Sequence, residues 1–203
     1  MSTLYIICAP SGTGKTSLVA ALVASLKRVE ISVSHTTRPI RPGEQNGVNY
    51  HFVTPEKFEQ MIDHDDFFEH ALVFGNHYGT SKTFVENKLK NNIDVILEID
   101  WQGAQQIRKI FKNTLSIFIF PPSIEVLSQR LRARGQDTEV VIQRRLAEAK
   151  NEIHHYSEFD YLVINDNFEH ALNDLKAIIT ANTLSMPLQK QNNAKLIAQL
   201  LNS

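Results

Sequence analysis

The sequence predicts an α/β fold of three layers, with a mainly parallel sheet between two layers of helices. Four apolar or β-rich runs, at residues 4–8, 93–100, 115–120 and 161–164, are typical of strands buried on both faces. Segments with helical spacing of apolar residues alternate with these runs, and such alternation favours a parallel sheet. The first run also passes through a glycine-rich turn directly into a helical segment.

In the first half of the chain, local residue patterns predict the helices, loops and short strands that lie between the buried strands in the sequence. Apolar residues recur at helical spacing after the glycine turn, and Thr54 followed by Pro55 supplies a capping hydroxyl and a proline at the first helical position. The stretch at residues 38–47 carries two prolines and two glycines, which predicts a loop. The remaining expectations are short strands at residues 31–34 and 50–53 and an extended segment at residues 67–74.

The second half continues the alternation and ends in helices. We expect helices at residues 81–91 and 101–111, one that starts after Ser123, one at residues 168–184 and a short amphipathic one at residues 194–201. The leucine-rich stripe of the last helix is expected to dock on the core, with a subunit contact as the alternative. Two polar stretches, at about residues 34–81 and 130–156, fit the alternation poorly and are interpreted as substrate-handling inserts.

Length and charge exclude several classes of protein. The 203 residues suit one domain with a sizeable core, and the 21 Lys+Arg against 22 Asp+Glu exclude nucleic-acid binding by bulk charge. The single cysteine, Cys8, excludes a disulfide framework and a Cys-rich zinc site. The chain shows no signal-peptide pattern and no apolar run long enough for a membrane helix, so a cytoplasmic protein without membrane partners is expected.

A phosphate-binding loop follows the first strand and opens the first helix. It matches the pattern G-x-x-x-x-G-K-[ST], with Ala9 in place of the first glycine. Glycines let backbone N–H groups surround a phosphate, a lysine bridges the β- and γ-phosphates, and a hydroxyl ligates Mg²⁺. The predicted ATP-binding residues of the loop are Ala9, Pro10, Ser11, Gly12, Thr13, Gly14, Lys15 and Thr16.

An acidic residue, Asp100, follows the buried strand at residues 93–99. Ligands of open α/β sheets bind beyond the carboxyl ends of the strands, and Mg²⁺ is commonly held through one carboxylate and waters. Thr16 and Asp100 are therefore the candidate magnesium ligands. Any acidic strand end would look the same, so the neighbouring phosphate loop carries this assignment.

Several separate segments resemble guanylate kinases of the bacterial single-domain form. They agree in order and spacing over residues 3–185, and they are SHTTRPIRPGE from Ser34, NYHF from Asn49, FEH from Phe68, GNHYGTS from Gly75, EIDWQGA from Glu98, RLRARG from Arg130 and YLVIND from Tyr161. The chain departs from the usual family pattern at Ala9, where glycine is more common, and at Glu98, where aspartate is more common.

The resemblance implies Mg²⁺-dependent phosphoryl transfer from ATP to GMP, and to dGMP, in purine nucleotide metabolism. It implies one domain with a P-loop core at about residues 1–33, 82–129 and 157–203, a GMP-binding insert at 34–81 and a basic lid at 130–156. By motif, the residues that would bind the GMP phosphate are Arg38, Arg41, Tyr50 and Tyr78. Those that would recognise guanine are Ser34, Glu69 and Thr80, and Asp100 would lie near the acceptor and the metal. Asn165 would lie by the adenine, and the catalytic set would be Lys15, Arg38, Arg134 and Arg145.

The chemistry of these residue types agrees with the implied roles. Arginine forks suit a phosphate dianion, and lid arginines can neutralise the charge that develops during transfer. One carboxylate, that of Glu69, can accept from both the N1–H and the exocyclic amine of guanine, whereas adenine presents an acceptor at N1. Taken alone, Arg38 and Arg41 would be read as solvated loop charges, and Glu69 as a surface residue.

Two other functions remain open from the sequence. A ribose-bisphosphate kinase of similar fold would keep the phosphate loop, and a non-catalytic guanylate-kinase-like module would bind a partner instead. The combination of Glu69, Tyr78 and Thr80 favours guanine over a sugar, and the intact Lys15 and Thr16 favour catalysis. The oligomeric state is left undecided.

Overall fold

The computed structural model describes residues 2–133, 135 and 138–202. Its strands, in chain order, are β1 Leu4–Cys8, β2 Val29–Ser32, β3 His35–Thr36, β4 His51–Phe52, β5 Phe67–Val73, β6 Asn76–Ser81, β7 Asp94–Glu98, β8 Leu115–Phe120 and β9 Tyr161–Ile164. Its helices are α1 Lys15–Ser25, α2 Pro55–Asp63, α3 Lys82–Lys90, α4 Trp101–Ile110, α5 Ile124–Ala133, α6 Glu139–His154, α7 Phe168–Thr183, α8 Met186–Asn192 and α9 Ala194–Leu201. A 3₁₀ turn, Tyr156–Glu158, follows α6.

The main sheet has five parallel strands in the order β2-β7-β1-β8-β9. The central strand β1 pairs with β7 on one side, Ile6 opposite Leu97, and with β8 on the other, Ile7 opposite Ile117. Because all five strands are parallel, their carboxyl ends lie on one edge of the sheet. The loop after β1 and the acids that end β7 are therefore neighbours.

Helices cover both faces of this sheet, as alternation along β1 shows. Tyr5 and Ile7 pack with buried residues of α1 and α7, including Leu22 and Leu175. Leu4 and Ile6 lie on the opposite face with buried residues of α3 and α4. The three-layer α/β prediction is confirmed.

A second sheet, in the order β4-β3-β6-β5, lies between β2 and α3 in the sequence. The β3–β4 pair is parallel, and β6 pairs antiparallel with β3 and β5. The β5–β6 register shifts between Phe67 and Glu69, and a shift of this kind re-aims side chains. Glu69 and the neighbouring Phe68 are consequently both buried, Phe68 in the α3–α4 side of the core.

Helices α5 and α6 form a smaller packing unit at the same edge as the phosphate loop. Leu127 and Leu131 of α5 pack with Ile142 and Ala149 of α6 in a cluster separate from the two main ones. Within the described residues, no helix is long and apolar enough to cross a membrane.

Two expectations about the C-terminal part are wrong. Strand β9 is an edge strand, so Tyr161, Leu162 and Ile164 are exposed rather than buried on both faces. Helix α9 does form at residues 194–201, but its apolar stripe does not dock on the core, because Leu196, Leu200 and Leu201 are 53%, 67% and 80% exposed.

Candidate active site

The phosphate loop has the tight backbone that its glycines allow. Gly12 and Gly14 have φ of 94° and 101°, a left-handed region that side chains disfavour. A Cβ on Gly12 would lie 2.9 Å from Leu131 of α5, and one on Gly14 would lie 2.8 Å from the Asn165 amide nitrogen. The backbone conformation therefore favours glycine at both positions, and a side chain at either would also have to displace a neighbouring side chain.

The loop is braced from behind by two side chains. Asn165 Nδ2 and Arg130 Nη1 donate to the Thr13 carbonyl at 2.7 and 2.9 Å. Arg130 Nη2 also donates to the Asn165 carbonyl at 3.1 Å. Asn165, expected from the resemblance beside adenine, thus has its side chain against the loop backbone, and Arg130 joins α5 to the same point.

Lys15 is influenced by titratable residues from three other parts of the chain, Glu98, Tyr50 and Glu152. Burial alone would lower the pKa of Lys15, but the Glu98 carboxylate, with Tyr50 and Glu152, raises it overall. Burial raises the pKa of Glu98, while Lys15 and a hydrogen bond with the Thr16 side chain lower it. The acids on β7 and α6 therefore favour the charged form of the lysine.

Asp100 caps α4 at the same sheet edge. Its Oδ1 accepts from the Gly103 backbone N–H at 2.9 Å, and its Oδ2 accepts from Gln102 Nε2 at 3.1 Å. Its negative charge raises the pKa of both Glu69 and Glu152. Asp100 therefore lies near enough to Glu69 of the second sheet and Glu152 of α6 to act on both.

Glu69 is a buried carboxylate with a hydroxyl partner. It is 3% exposed, and its Oε1 accepts from Thr80 Oγ1 at 2.6 Å. Burial raises the pKa of Glu69 to about 7, an effect that the Thr80 hydrogen bond reduces and the Asp100 charge increases. Thr80 and Ser34 are also buried, so the three residues expected to read guanine are largely shielded from water.

Arg38 is engaged by groups of its own loop and by the rings beneath it. Its guanidinium donates to Glu44 Oε1 at 2.7 Å and to the Pro39 carbonyl at 2.8 Å, and it lies 5.3 Å from the Tyr50 ring centroid. Burial alone would lower the pKa of Arg38, but the hydrogen bond to Glu44 and the charges of Glu44, Tyr78 and Tyr50 together raise it. The Tyr50 and Tyr78 rings meet edge to face at 5.8 Å.

A cavity of about 430 Å³ joins the second sheet to α6. Arginines line it from both sides, and its walls include Arg38, Arg41, Tyr78, Phe74, Arg144 and Arg145. Arg145 is 8% exposed, with its guanidinium 5.5 Å from the Phe74 ring centroid. Arg134 lies outside the described residues.

The comparisons with known proteins agree with one another. The Guanylate kinase family model matches residues 1–182. The chain belongs to the guanylate kinase family. It is 59% identical over 187 residues to the guanylate kinase of Hahella chejuensis, covering 92% of this chain and 90% of that one. It is 55% identical to the Saccharophagus degradans enzyme, covering 98% and 97%.

A solved structure supports the same membership. The crystal structure of guanylate kinase from Anaplasma phagocytophilum matches with a TM-score of 0.76 and 32% identity, over 91% of this chain and 88% of that one. As a guanylate kinase family member, the chain is an ATP:GMP phosphotransferase, a nucleoside monophosphate kinase. The ribose-bisphosphate kinase and binding-module alternatives are not favoured.

The oxygen atoms around Thr16 fit the divalent metal that this family uses with ATP. Glu98 Oε1 is buried and has no hydrogen-bond partner among the described residues, while the carboxylate also meets the Thr16 hydroxyl. A hydroxyl and carboxylates are hard oxygen ligands of the kind Mg²⁺ takes. The described residues hold no group of three or more His, Cys, Asp or Glu close enough to bind a metal by themselves, so phosphate oxygens and waters would complete the shell.

Sequence reasoning missed three residues of this guanylate kinase site. Glu98 was seen only as a departure from the family pattern, yet it is the acid that meets Thr16. Glu152 of α6 lay in no motif, and Glu44, the last residue of the segment that starts at Ser34, was given no role, although they interact with Lys15 and Arg38. The signal for Glu98 was available, since it is the last residue of a buried strand beside the phosphate loop.

Proposed function

We propose that this guanylate kinase family member transfers the γ-phosphoryl group of Mg²⁺-ATP to GMP and dGMP at the sheet edge where β1 and β7 end. The supporting observation is that Gly103, whose backbone N–H donates to Asp100 Oδ1 at 2.9 Å, also lies against Glu69, since a Cβ there would be 2.5 Å from Glu69 Oε2. Asp100 follows β7, which pairs with β1, and the phosphate loop with Lys15 follows β1. These contacts support one site for a guanine-reading carboxylate and a phosphate-binding lysine.

On the acceptor side, Glu69 would accept from guanine N1–H and the exocyclic amine, with Thr80 and Ser34 beside it. A buried carboxylate without these donors is disfavoured, so guanine is preferred to adenine, which would place an acceptor opposite it. Arg38, Arg41, Tyr50 and Tyr78 would hold the GMP phosphate. Arg38 would exchange its bond to Glu44 for one to phosphate.

On the donor side, backbone N–H groups of residues 9–16 would surround the phosphates, and Lys15 would bridge β and γ. Thr16 and Asp100 would hold Mg²⁺, with Glu98 as a further carboxylate on Thr16. When bound, the metal neutralises charge on the β- and γ-phosphates. Asn165 would support adenine binding indirectly, through the loop that it braces.

For the transfer itself, Lys15, Arg38, Arg134 and Arg145 would stabilise charge on the equatorial oxygens of the migrating group. No general base is needed, since alignment and electrostatics supply most of the rate in this chemistry. We further propose that residues 34–81 form an insert and residues 130–156 a lid on the core. We also propose a cytoplasmic location, with nucleotides as the partners.

An acceptor panel tests the proposal. ADP release is measured with Mg²⁺-ATP and each of GMP, dGMP, AMP, CMP, UMP and a ribose bisphosphate, for the wild type and for Lys15→Ala. We expect strong turnover with GMP, measurable turnover with dGMP, and loss of both in the lysine variant, on the order of 10²-fold or more. Turnover with the sugar phosphate alone would reject the guanine pocket, and near-normal turnover of Lys15→Ala would reject the phosphate-loop role.

A further inference from the structure

Helix α6 presents two charged residues, two turns apart, on the face that packs against the rest of the protein. Arg145, Ala149 and Glu152 are spaced i, i+4, i+7, so they share one side of the helix. Arg145 and Ala149 are buried. Arg145 is next to Phe74, in the turn between β5 and β6, whereas Glu152 is next to the phosphate loop.

The surroundings of Glu152 come from the loop, the main sheet and α6 itself. Burial raises the pKa of Glu152 to about 7, and the charges of Asp100 and Glu148 add to this effect. Lys15 and the Ser11 backbone N–H lower the pKa, which places the carboxylate beside the phosphate loop. Glu152 Oε2 is buried and has no hydrogen-bond partner among the described residues.

Fold stability does not explain a carboxylate at this position. Burying a carboxylate oxygen without a partner disfavours folding, and two neighbouring acids add repulsion. Glu148, one turn earlier on α6, shows the ordinary alternative, since it pairs with Arg144 at the surface at 2.9 Å. Glu152 instead links α6 to Ser11 and Lys15, the groups that handle the donor phosphates.

We propose that Glu152 is a positioning residue that seats α6 on the phosphate loop, so that Arg145 is held at the transferred phosphoryl group. The inference rests on the catalytic role of Arg145 in the proposed function. A helix is stiff over two turns, so fixing Glu152 fixes the distance between Arg145 and the loop. Glu152 itself touches neither substrate in this arrangement.

A double-mutant cycle between Glu152 and Arg145 tests the link. Glu152→Gln removes the charge beside Lys15 and keeps the size of the side chain. We expect it to lower kcat about tenfold, the effect of one charge-assisted contact, with the KM for GMP changed less than about twofold. In the Arg145→Ala background the same substitution should lower kcat less than about twofold, because no arginine remains to be positioned.

Glu139→Gln is the matched control, since it removes the same charge from an exposed ion pair with Arg132 at the other end of the same helix. It should leave kcat within about twofold of the wild type. Circular dichroism and thermal melting check that each variant folds, and Glu152→Asp takes the place of Glu152→Gln in the cycle if the glutamine variant does not fold.

Additive losses in the cycle would overturn the inference, because a merely structural Glu152 would slow both backgrounds equally. An unchanged kcat with a raised KM for ATP would overturn it too, by making Glu152 a binding residue. If Arg145→Ala alone leaves kcat unchanged, both this inference and the catalytic role of Arg145 fail. The acceptor panel still decides the proposed reaction in that case.

Discussion

At the scale of single residues, the site depends on carboxylates that the fold withdraws from water. Burial raises the pKa of Glu69, Glu98 and Glu152, and each carboxylate meets a specific partner, Thr80, Thr16 or the Ser11 amide. Perturbed acids of this kind cluster at functional sites because their position is set by chemistry rather than by stability. Glu69 is the one whose ionisation should control acceptor binding.

Glu69 should make GMP binding pH-dependent. Only the ionised carboxylate accepts two hydrogen bonds from guanine, and its pKa in the folded protein is about 7. We expect kcat/KM for GMP to fall by up to about tenfold per pH unit below 7, and Glu69→Gln to flatten the profile apart from the GMP phosphate titration near pH 6. Initial rates between pH 5.5 and 8.5 measure both profiles.

The raised pKa of Glu69 also determines how the free energy of unfolding changes with pH. The folded pKa of Glu69 lies above its ordinary 4.5, so its contribution to stability is fully present below about pH 4.5 and is lost as the pH rises through 7. As the pH rises over that range, the free energy of unfolding of Glu69→Gln should therefore increase relative to that of the wild type, by at most about 3 kcal/mol. A constant difference between the two, measured in urea at several pH values, would show that the carboxyl does not titrate as described.

At the scale of elements, the sequence predicted the features that depend on local pattern. The buried strands β1, β7 and β8 and the glycine loop were predictable, because continuous apolar runs and glycine spacing are read within ten residues. Glu152 was not, since its contact with Ser11 joins residues far apart in the chain. The exposed stripe of α9 was misjudged because amphipathic spacing indicates a helix face without saying what covers it.

Helix α4 and strand β5 meet where Glu69 lies over Gly103, and this contact is testable. A Cβ on Gly103 would stand 2.5 Å from Glu69 Oε2 and 3.0 Å from its Cδ. Gly103→Ala should displace the carboxylate while favouring the helix by about 1 kcal/mol. We expect kcat/KM for GMP to fall about tenfold or more, with the KM for ATP within about twofold.

Lys109→Ala, on an exposed position of the same helix, controls for the general effect of alanine on α4. It should change neither substrate's kinetics. GMP kinetics that stay normal in Gly103→Ala would mean that Glu69 can shift without loss, and the guanine-reading role would then need another residue.

At the scale of the whole molecule, arginines of the loop between β3 and β4 and arginines of α6 line one cavity. Arg38 and Arg41 line one side, and Arg144 and Arg145 line the other. Like charges in a shared cavity repel, and phosphate groups placed between them would convert the repulsion into attraction. Substrate phosphates should therefore draw the second sheet and α6 together and exclude water from the transfer.

Small-angle scattering can measure this closure. We expect the radius of gyration to decrease when GMP and a non-hydrolysable ATP analogue are both bound, and to change less with either alone, because each supplies only part of the negative charge. Arg41→Ala should reduce the decrease, whereas Lys57→Ala, an exposed lysine of α2, should not. Equal radii with and without both nucleotides, at concentrations that saturate the wild type, would show that the two sides of the cavity are already at their closest approach.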